Sequence, residues 1–313
     1  MKVAIIEPLQ LPKEVVMEEF SSLNCEVEMF DTKPGSQKEV VERTRDADIM
    51  VVVNYPVRAE ALEKLENLRM IAVSFTGYDH IDIDKCRELG ITVCNVPEYS
   101  TSSVAELVFG MIISAKRKLI ECDMTVRSGK DNKGLLGSEI YGKTMGVIGT
   151  GKIGKRVCEI ALAFGMNVMA YSRTRKRELE EKGVRYVPLE ELLKMSDVVT
   201  IHVPLSKETE GMIGERELAM MKDGAIIVNT ARGKIIDTAS LAKMLESGKI
   251  VACLDVFDIE PPLPENHPLR NAKNAVLAPH VGYYTEEALM RRLKVTVDNI
   301  RAYINDSPKN VVS

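Results

Sequence analysis

The 313-residue chain contains no tryptophan, few aromatic residues and only four histidines. It also lacks a long hydrophobic run near its start, where Val3–Ile6 is followed directly by Glu7. That run is too short for a signal peptide or a membrane-spanning helix, so we expect a cytoplasmic protein that does not contact a membrane. The small number of histidines shortens the search for a general acid. The four are His80, His202, His267 and His280.

The six cysteines are scattered along the chain, and no two of them form a C-x-x-C pair. They are Cys25, Cys86, Cys94, Cys122, Cys158 and Cys253. A chain of this length does not need disulfides, and without an export signal we expect all six thiols to be reduced. A structural zinc site would need paired cysteine or histidine ligands, so we expect no metal.

The charge balance also excludes a class of partner. The chain has 42 basic and 46 acidic residues and a formal net charge of −4, which leaves no broad positive field to attract nucleic acid. The composition of 45% hydrophobic and 28% charged residues is that of a globular protein with a buried core.

Short β-branched runs alternate with longer amphipathic stretches, a pattern that predicts parallel sheets covered by helices. The expected strands are Val3–Ile6, Ile49–Val53, Met70–Val73, Thr92–Cys94, Met145–Ile148, Val168–Tyr171, Val198–Ile201, Ala225–Val228, Val251–Leu254 and Val276–Ala278. We therefore predict an α/β protein of two doubly wound parallel-sheet domains.

The boundary between the two domains is predicted from two helices. Ser103-Val-Ala-Glu106 has the pattern of a capping box, which predicts a joining helix from about residue 102 to 118. The last helix, Glu286–Ile304, is expected to return to the first unit. The prediction is a discontinuous domain of residues 1–99 and 286–313, and a second domain of residues 100–285.

A glycine-rich turn connects the predicted strand Met145–Ile148 to a helix. The sequence is Gly149-Thr-Gly151-Lys152-Ile153-Gly154. The first glycine makes the tight turn, the second lets the backbone approach a pyrophosphate, and the third lets helix and strand pack closely. Because the helix N-terminus offers N–H donors to the anion, these residues predict a dinucleotide site.

The next strand lacks the acidic residue that usually binds the adenosine ribose of NAD. Ser172 stands there instead, followed by Arg173 and Thr174. An acid would repel a 2′-phosphate, whereas a hydroxyl and a guanidinium would bind one, so we expect NADP(H) to be preferred with NAD(H) possible. The following basic residues, 175–177, have a second interpretation as the solvated start of a helix.

Polar residues follow four later strands, and in a doubly wound sheet such positions converge on the ligand crevice. Arg232, Glu260 and His280 together are what reduction of a 2-keto acid requires. The arginine would bind the substrate carboxylate and polarise the ketone, and the histidine would protonate the developing alkoxide. A neighbouring carboxylate favours the charged form of that histidine. Each residue singly could have a structural role, but all three in this order favour catalysis.

These motifs resemble those of the D-2-hydroxyacid dehydrogenase family over essentially the full chain. The matching segments are Gly149–Gly154, Asp197–Pro204, Asn229–Gly233, Asp255–Pro261 and Pro279-His280. The resemblance implies a flavodoxin-like substrate domain, a Rossmann cofactor domain, and a homodimer built on the latter. It also implies that Arg232, Glu260 and His280 are the catalytic set.

The same resemblance implies further cofactor contacts. Asp255 would hold the nicotinamide carboxamide, and the adenine side would be lined by His202, Val203 and Pro204, with Thr209 after that loop. Nothing around His202 suggests proton transfer, which favours this contact role. Three more residues in or just after the matching segments are expected to contact the cofactor, namely Thr230, Ala231 and Gly282.

The expected substrate contacts rest on the resemblance as well. Thr76, Gly77 and Tyr78 follow the strand Met70–Val73, where the family binds the substrate carboxylate through backbone N–H groups. Tyr99 and Tyr283 stand where aromatic residues line a small pocket in the D-lactate dehydrogenase branch.

The leading function is therefore an NAD(P)H-dependent reductase of a small 2-keto acid. Alternatives are a glyoxylate or hydroxypyruvate reductase and a short-form phosphoglycerate dehydrogenase, which would keep the chemistry and change the substrate. A third class is a dinucleotide-sensing binding protein like the co-repressors with this fold. A pure sensor, however, would not need the proton donor His280.

Overall fold

The computed structural model describes all residues from Met1 to Ser313, and the chain divides into two compact units. The first unit comprises Met1–Ser100 together with Tyr284–Ser313, and the second comprises Thr101–Tyr283. Each unit has its own β-sheet with helices around it, and every strand pairing is parallel. No helix combines the length and the apolar character that crossing a membrane requires.

The sheet of the first unit has five strands in the order β2-β1-β3-β4-β5. The strands are β1 (Lys2–Ile5), β2 (Glu26–Met29), β3 (Ile49–Val52), β4 (Met70–Val73) and β5 (Thr92–Cys94). All residues of β3 and β4 are buried, because helices cover both faces of a parallel sheet. This strand order is the flavodoxin-like one.

Five helices belong to the first unit. They are α1 (Lys13–Ser21), α2 (Gln37–Thr44), α3 (Ala59–Leu62), α4 (Ile83–Glu88) and α12 (Glu286–Ile304). The last of them, α12, packs against α1 and β4. It begins after Thr285, whose hydroxyl accepts the Ala288 N–H at 3.2 Å and so caps the helix.

The sheet of the second unit has seven strands in the order β12-β11-β10-β9-β6-β7-β8. The strands are β6 (Thr144–Ile148), β7 (Asn167–Tyr171), β8 (Arg185–Tyr186), β9 (Val198–Ile201), β10 (Ile226–Asn229), β11 (Val251–Leu254) and β12 (Ala275–Leu277). The direction of winding reverses between β6 and β9. In such sheets the crevice at the carboxyl ends of the strands, at this switch point, is where ligands bind.

Seven α-helices and one 3₁₀ turn (Gly233–Ile235) complete the second unit. The helices are α5 (Thr101–Arg117), α6 (Leu119–Arg127), α7 (Lys152–Ala163), α8 (Arg177–Glu180), α9 (Leu189–Met195), α10 (Glu215–Met220) and α11 (Thr238–Glu246). Helix α7 ends where Gly165 adopts the left-handed conformation, with φ +73°, which glycine takes without steric cost.

The structure corrects one local expectation and contains elements that the sequence analysis did not predict. The capping box predicted at Ser103 and Glu106 is wrong, because α5 already begins at Thr101 and both residues lie inside it. Strand β2 was not anticipated, since its alternating exposed and half-buried residues lack a continuous apolar run. Helix α6 was also missed, and none of its residues is buried within this chain.

Candidate active site

The three glycines of the turn between β6 and α7 serve different purposes. Gly149 has φ +92°, and a Cβ there would lie 2.7 Å from the carbonyl oxygen of His202. A Cβ on Gly154 would overlap the carbonyl oxygen of Gly149. A Cβ on Gly151 would meet no atom within 4 Å. The first and third glycines are therefore required by the fold, whereas the second faces open space.

Residues of this turn fit a nicotinamide dinucleotide. Gly151 is the N-cap of α7, a 12-residue helix that begins with Lys152 and Ile153. The first N–H groups of the helix therefore lie next to a glycine with open space around it, where an anion can approach them. At the end of β10, the buried hydroxyl oxygen of Thr230 has no hydrogen-bond partner within the protein. An unpartnered polar atom at the carboxyl edge of the sheet is what a polar ligand would satisfy.

The loop after β7 carries the residues expected at the ribose. Ser172 is half-buried, and Arg173 and Thr174 are exposed. The Arg173 guanidinium lies 3.4 Å from a carboxylate oxygen of Glu208, and both side chains are at least three-quarters exposed. Such an exposed pair contributes little to stability, so Arg173 can turn to another anion at small cost.

The rest of the basic run, residues 175–177, leads into α8 on the protein surface. Arg177 Nε lies 2.9 Å from the Glu181 carboxylate, and Arg175 lies 4.0 Å from that of Glu180. For these two residues the geometry is that of a solvated helix start.

The loop after β9 is ordered by its own side chains. The Nε2 atom of His202 lies 2.8 Å from the Thr200 hydroxyl, and burial lowers the pKa of this imidazole to about 3. His202 is consequently neutral and does not serve as a proton donor near pH 7. Val203 is half-buried and Pro204 is exposed. The Thr209 hydroxyl donates to the Pro204 carbonyl at 2.6 Å, which closes the loop.

The turn that carries Arg232 is held by a buried asparagine at the end of β10. The Asn229 amide donates to the Arg232 carbonyl at 2.9 Å and accepts the Ala231 N–H at 3.0 Å. A Cβ on Gly233 would overlap the backbone of Phe257, so only glycine lets this turn lie against the segment after β11. The half-buried Arg232 is thereby fixed next to the segment that leads to Glu260.

A buried carboxylate connects β11 to the segment after β12. Asp255 is 1% exposed, and its two oxygens accept the N–H groups of Val281 at 2.7 Å and Gly282 at 2.8 Å. Its carbonyl accepts the His280 N–H at 2.8 Å. Burial raises the pKa of the Asp255 carboxyl, and the two N–H donors oppose that rise. A Cβ on Gly282 would lie 2.9 Å from the carboxylate, so glycine is needed there.

His280 and Glu260 form a directly hydrogen-bonded pair. The Nδ1 atom of His280 lies 2.9 and 3.1 Å from the two carboxylate oxygens of Glu260. The histidine side chain is 15% exposed and the glutamate side chain 61% exposed. The Tyr283 ring packs edge-on against the imidazole, with centroids 5.6 Å apart. His280 adopts φ +58°, a left-handed conformation that is uncommon for residues other than glycine.

A second histidine pair, missed in the sequence, stabilises the segment that carries Glu260. Nε2 of the buried His267 lies 2.9 Å from the Asp258 carboxylate, and Nδ1 accepts the Leu269 N–H at 3.3 Å. Because Nδ1 is an acceptor, Nε2 carries the proton and donates it to Asp258. The only available signal was the presence of both residues in one proline-rich segment, which does not specify a contact.

Thr76, Gly77 and Tyr78 lie in the first unit, after β4. The Thr76 hydroxyl donates to the Val96 carbonyl at 2.8 Å, and the Asn95 amide donates to the Thr76 carbonyl at 2.7 Å. These two bonds tie the segment to the one that follows β5. Gly77 is half-buried and Tyr78 is exposed.

Tyr99 is also in the first unit, and it is buried. Its ring packs against Phe75 with centroids 6.0 Å apart, and the Arg292 guanidinium lies 6.0 Å from the ring centroid. Arg291 donates to the Tyr99 carbonyl at 2.9 Å. In this structure Tyr99 forms part of the packing between α12 and the end of β5.

Comparison with known proteins identifies the family. Residues 109–282 match the NAD-binding domain of the D-isomer specific 2-hydroxyacid dehydrogenases. The chain belongs to this family. The predicted resemblance and the predicted fold class are confirmed.

Three relatives are informative. The glyoxylate reductase of Korarchaeum cryptofilum is 40% identical over 292 residues, which cover 90% of this chain and 88% of the relative. The structure of an acyclic imino acid reductase in complex with NADPH and D-Arg has a TM-score of 0.91 and 32% identity, with all of both chains covered. The D-lactate dehydrogenase of Aquifex aeolicus with NAD and lactic acid has a TM-score of 0.86 and 33% identity, covering 98% of this chain and 96% of that one.

This family member is an enzyme, a nicotinamide-dependent oxidoreductase that acts on CH–OH groups. The comparisons therefore support the enzyme interpretation rather than the sensor alternative.

Proposed function

We propose that this enzyme reduces a small 2-keto acid to a D-2-hydroxy acid with NADPH, and that Arg232, Glu260 and His280 carry the reaction. The observation on which this depends is the 2.9 Å contact between Nδ1 of His280 and the Glu260 carboxylate. A carboxylate at Nδ1 fixes the ring orientation and assigns proton exchange with the substrate to Nε2.

In this mechanism the bound nicotinamide supplies a hydride to C2 of the keto acid. His280 gives the Nε2 proton to the ketone oxygen, so the C=O double bond becomes a C–OH group. Glu260 holds the Nδ1 side of the ring, so that Nε2 is the nitrogen left for the substrate. In the reverse direction, the same nitrogen would take the hydroxyl proton, and the oxidised cofactor, when bound, would accept the hydride from C2.

Arg232 is proposed to bind the substrate carboxylate with its planar guanidinium and to polarise the ketone. Asn229 and Gly233 support this role, because they fix the turn on both sides of the arginine. The residues proposed to bind the cofactor are Gly149, Gly151, Lys152, Ile153, Gly154, Ser172, Arg173, Thr174, His202, Val203, Pro204, Thr209, Thr230, Ala231, Asp255 and Gly282. Substrate contacts are proposed for Thr76, Gly77, Tyr78, Tyr99 and Tyr283, and we assign substrate binding mainly to the first unit.

The proposed preference for NADPH rests on Ser172 and Arg173. Neither residue is an acid that would repel a 2′-phosphate, and Arg173 has only an exposed partner in Glu208. One or two charge-assisted hydrogen bonds would give a preference of about tenfold to several hundredfold in kcat/KM. The related imino acid reductase structure contains NADPH, which is compatible with this proposal.

The substrate proposed is glyoxylate, hydroxypyruvate or another 2-keto acid of that size. This is supported by the relationship to a glyoxylate reductase over nine-tenths of the chain.

A homodimer through α6 is part of the proposal. Four apolar side chains of this helix are between 49 and 75% exposed, namely Leu119, Ile120, Met124 and Val126. Since no residue of α6 is buried within the chain, a second copy packed on this helix would account for its apolar character.

The six cysteines are all free thiols in this structure, which is compatible with the proposed location in the cytoplasm.

The experiment that tests the function is a panel of 2-keto acids assayed with NADPH and with NADH, comparing kcat/KM. We expect small 2-keto acids to be reduced and NADPH to be preferred. The double variant Ser172→Asp with Arg173→Ala should reverse the cofactor preference, whereas Arg177→Ala, on the surface of α8, should retain it. A wild-type kcat/KM for NADH equal to or above that for NADPH would overturn the cofactor proposal.

A further inference from the structure

One side chain in the second unit touches both loops that the proposed function assigns to the cofactor. Tyr186 is the last residue of β8, the strand at the edge of the sheet beside β7. Its half-buried ring packs against the hydrophobic core that includes Val168 and Ala170 of β7. The ring is thus held by packing, and the hydroxyl at its tip has a defined position.

The Tyr186 hydroxyl makes two hydrogen bonds at that position. It accepts the backbone N–H of Lys176 at 3.1 Å and donates to the Thr150 hydroxyl at 3.0 Å. A phenol has one proton to donate, so accepting from Lys176 leaves that proton for Thr150. Both bonds can therefore exist at the same time.

The two partners of Tyr186 belong to different parts of the proposed cofactor site. Thr150 is 2% exposed and lies between Gly149 and Gly151 in the glycine turn. Lys176 caps α8 and ends the loop that begins with Ser172. Since the proposed function places a pyrophosphate at the turn and a 2′-phosphate at the loop, the separation between them has to match the cofactor.

The loop has little else to fix its shape. Arg173, Thr174 and Arg175 are exposed, and the ion pairs of the two arginines, at 3.4 and 4.0 Å, are solvent-exposed. Beyond the loop, Lys155 of α7 lies 2.6 Å from Glu178 of α8, which fixes the helix but not the residues before it. The Lys176 N–H bond to Tyr186 is the point where the loop is joined to the sheet.

We propose that Tyr186 is a positioning residue that sets the distance between the glycine turn and the loop from Ser172 to Lys176, and so increases the preference for NADPH. The proposal rests on the proposed function for its effect on cofactor choice. The Tyr186 side chain does not touch the reacting atoms. Its loss should therefore change the KM for NADPH without changing kcat.

The test uses the full-length enzyme with Tyr186→Phe, which keeps the ring and removes the hydroxyl. Losing one or two neutral hydrogen bonds should raise the KM for NADPH about three- to tenfold and leave kcat within about twofold. The KM for NADH should change less, because that cofactor has no 2′-phosphate for the loop to bind. The matched control is Tyr171→Phe, a tyrosine on the neighbouring strand β7.

A second readout does not depend on cofactor preference. The loop contains basic residues at 173, 175 and 176, so trypsin cleavage there, in the enzyme without cofactor, reports how often the loop opens. We expect cleavage at these residues to be about three- to tenfold faster in Tyr186→Phe than in wild type or Tyr171→Phe. Mass spectrometry of the fragments identifies the cleaved bonds.

Thr150→Val supplies an independent variant with nearly the same shape. If Thr150 acts through Tyr186, adding Thr150→Val to Tyr186→Phe should change the KM for NADPH by less than about twofold. Cleavage in Thr150→Val alone should be slower than in Tyr186→Phe, because the Lys176 bond remains.

The outcomes separate this proposal from the proposed function. Faster cleavage in Tyr186→Phe with no NADPH preference in wild type would support the positioning role and overturn the cofactor assignment. Cleavage at the wild-type rate, or fully additive effects of the two substitutions, would overturn the positioning role whatever the cofactor preference is.

Discussion

The glycine turn and the His280 segment lie at the carboxyl edge of the same seven-stranded sheet, but they are built from different parts of the chain. In the glycine turn, the proposed function depends on the absence of side chains, since a Cβ on Gly154 would overlap the backbone. At His280, the proposed function depends on side chains that are present, the glutamate at Nδ1 and the buried Asp255 that accepts the following backbone N–H groups. The turn is specified by six consecutive residues, whereas the His280 site is assembled from distant ones.

The largest effect is expected on kcat, from a substitution at His280. His280→Ala should lower kcat by about two to four orders of magnitude, because a positioned general acid contributes that much. Cofactor KM should change little, since the glycine turn is intact. Steady-state kinetics, with circular dichroism as a control for folding, measures both quantities. Near-normal turnover in the folded variant would exclude His280 as the proton donor.

The next prediction concerns the glycine turn. Two alanine substitutions there should differ in what they change, one lowering stability and the other weakening cofactor binding. Gly154→Ala should destabilise the enzyme by roughly 1–3 kcal/mol or more, since the new methyl group has to displace backbone. Gly151→Ala should leave the unfolding temperature close to wild type, because its Cβ meets open space, but should raise the KM for NADPH about tenfold or more.

Thermal unfolding and cofactor kinetics measured on both variants decide this comparison. Equal unfolding temperatures for the two variants would contradict the assignment of Gly154 to packing. A wild-type KM for Gly151→Ala would contradict close approach of the cofactor to that residue.

The last prediction concerns His202, a half-buried histidine that is neutral near pH 7 and so differs from the proposed proton donor His280. The pKa of His202 is lowered to about 3 in the folded chain, below the value of about 6.5 for an unfolded one. Its stabilising contribution is therefore present above pH 6.5 and is lost as the pH falls toward 3.

His202→Asn should remove that part of the pH dependence. Between pH 6.5 and 4.5, the free energy of unfolding of wild type should fall more steeply than that of the variant, by up to about 1.4 kcal/mol per pH unit. Urea unfolding at several pH values measures the two slopes. Parallel slopes would mean that His202 titrates alike in the folded and unfolded chains.

Sequence patterns predicted those parts of the fold that depend on local residues. Short, mostly β-branched or apolar runs predicted the strands Met70–Val73 and Val198–Ile201 with the bounds that the structure has. Helix α12 likewise has its predicted range, Glu286–Ile304. The capping box at Ser103 failed, because a motif of two residues also occurs inside helices.

The parts of the site that could not be predicted are contacts between residues far apart in sequence. Asp255 accepts N–H groups 26 and 27 residues away, and Tyr186 donates to a hydroxyl 36 residues away. No periodicity or turn preference encodes such a bond, because it forms only after both strands have joined the sheet. The acidic partners of Arg175 and Arg177 were likewise visible only once α8 had formed.

The left-handed backbone at His280 gives this position an energetic consequence of its own. Holding a residue other than glycine or asparagine at φ +58° costs about 1–2 kcal/mol, which the contacts of the folded enzyme offset. Glycine would adopt that conformation freely, so His280→Gly should unfold at a higher temperature than His280→Ala while being equally inactive. A chain under selection for thermal stability alone would not keep histidine at residue 280. Under the proposed function, the enzyme gives up some resistance to unfolding here in exchange for turnover.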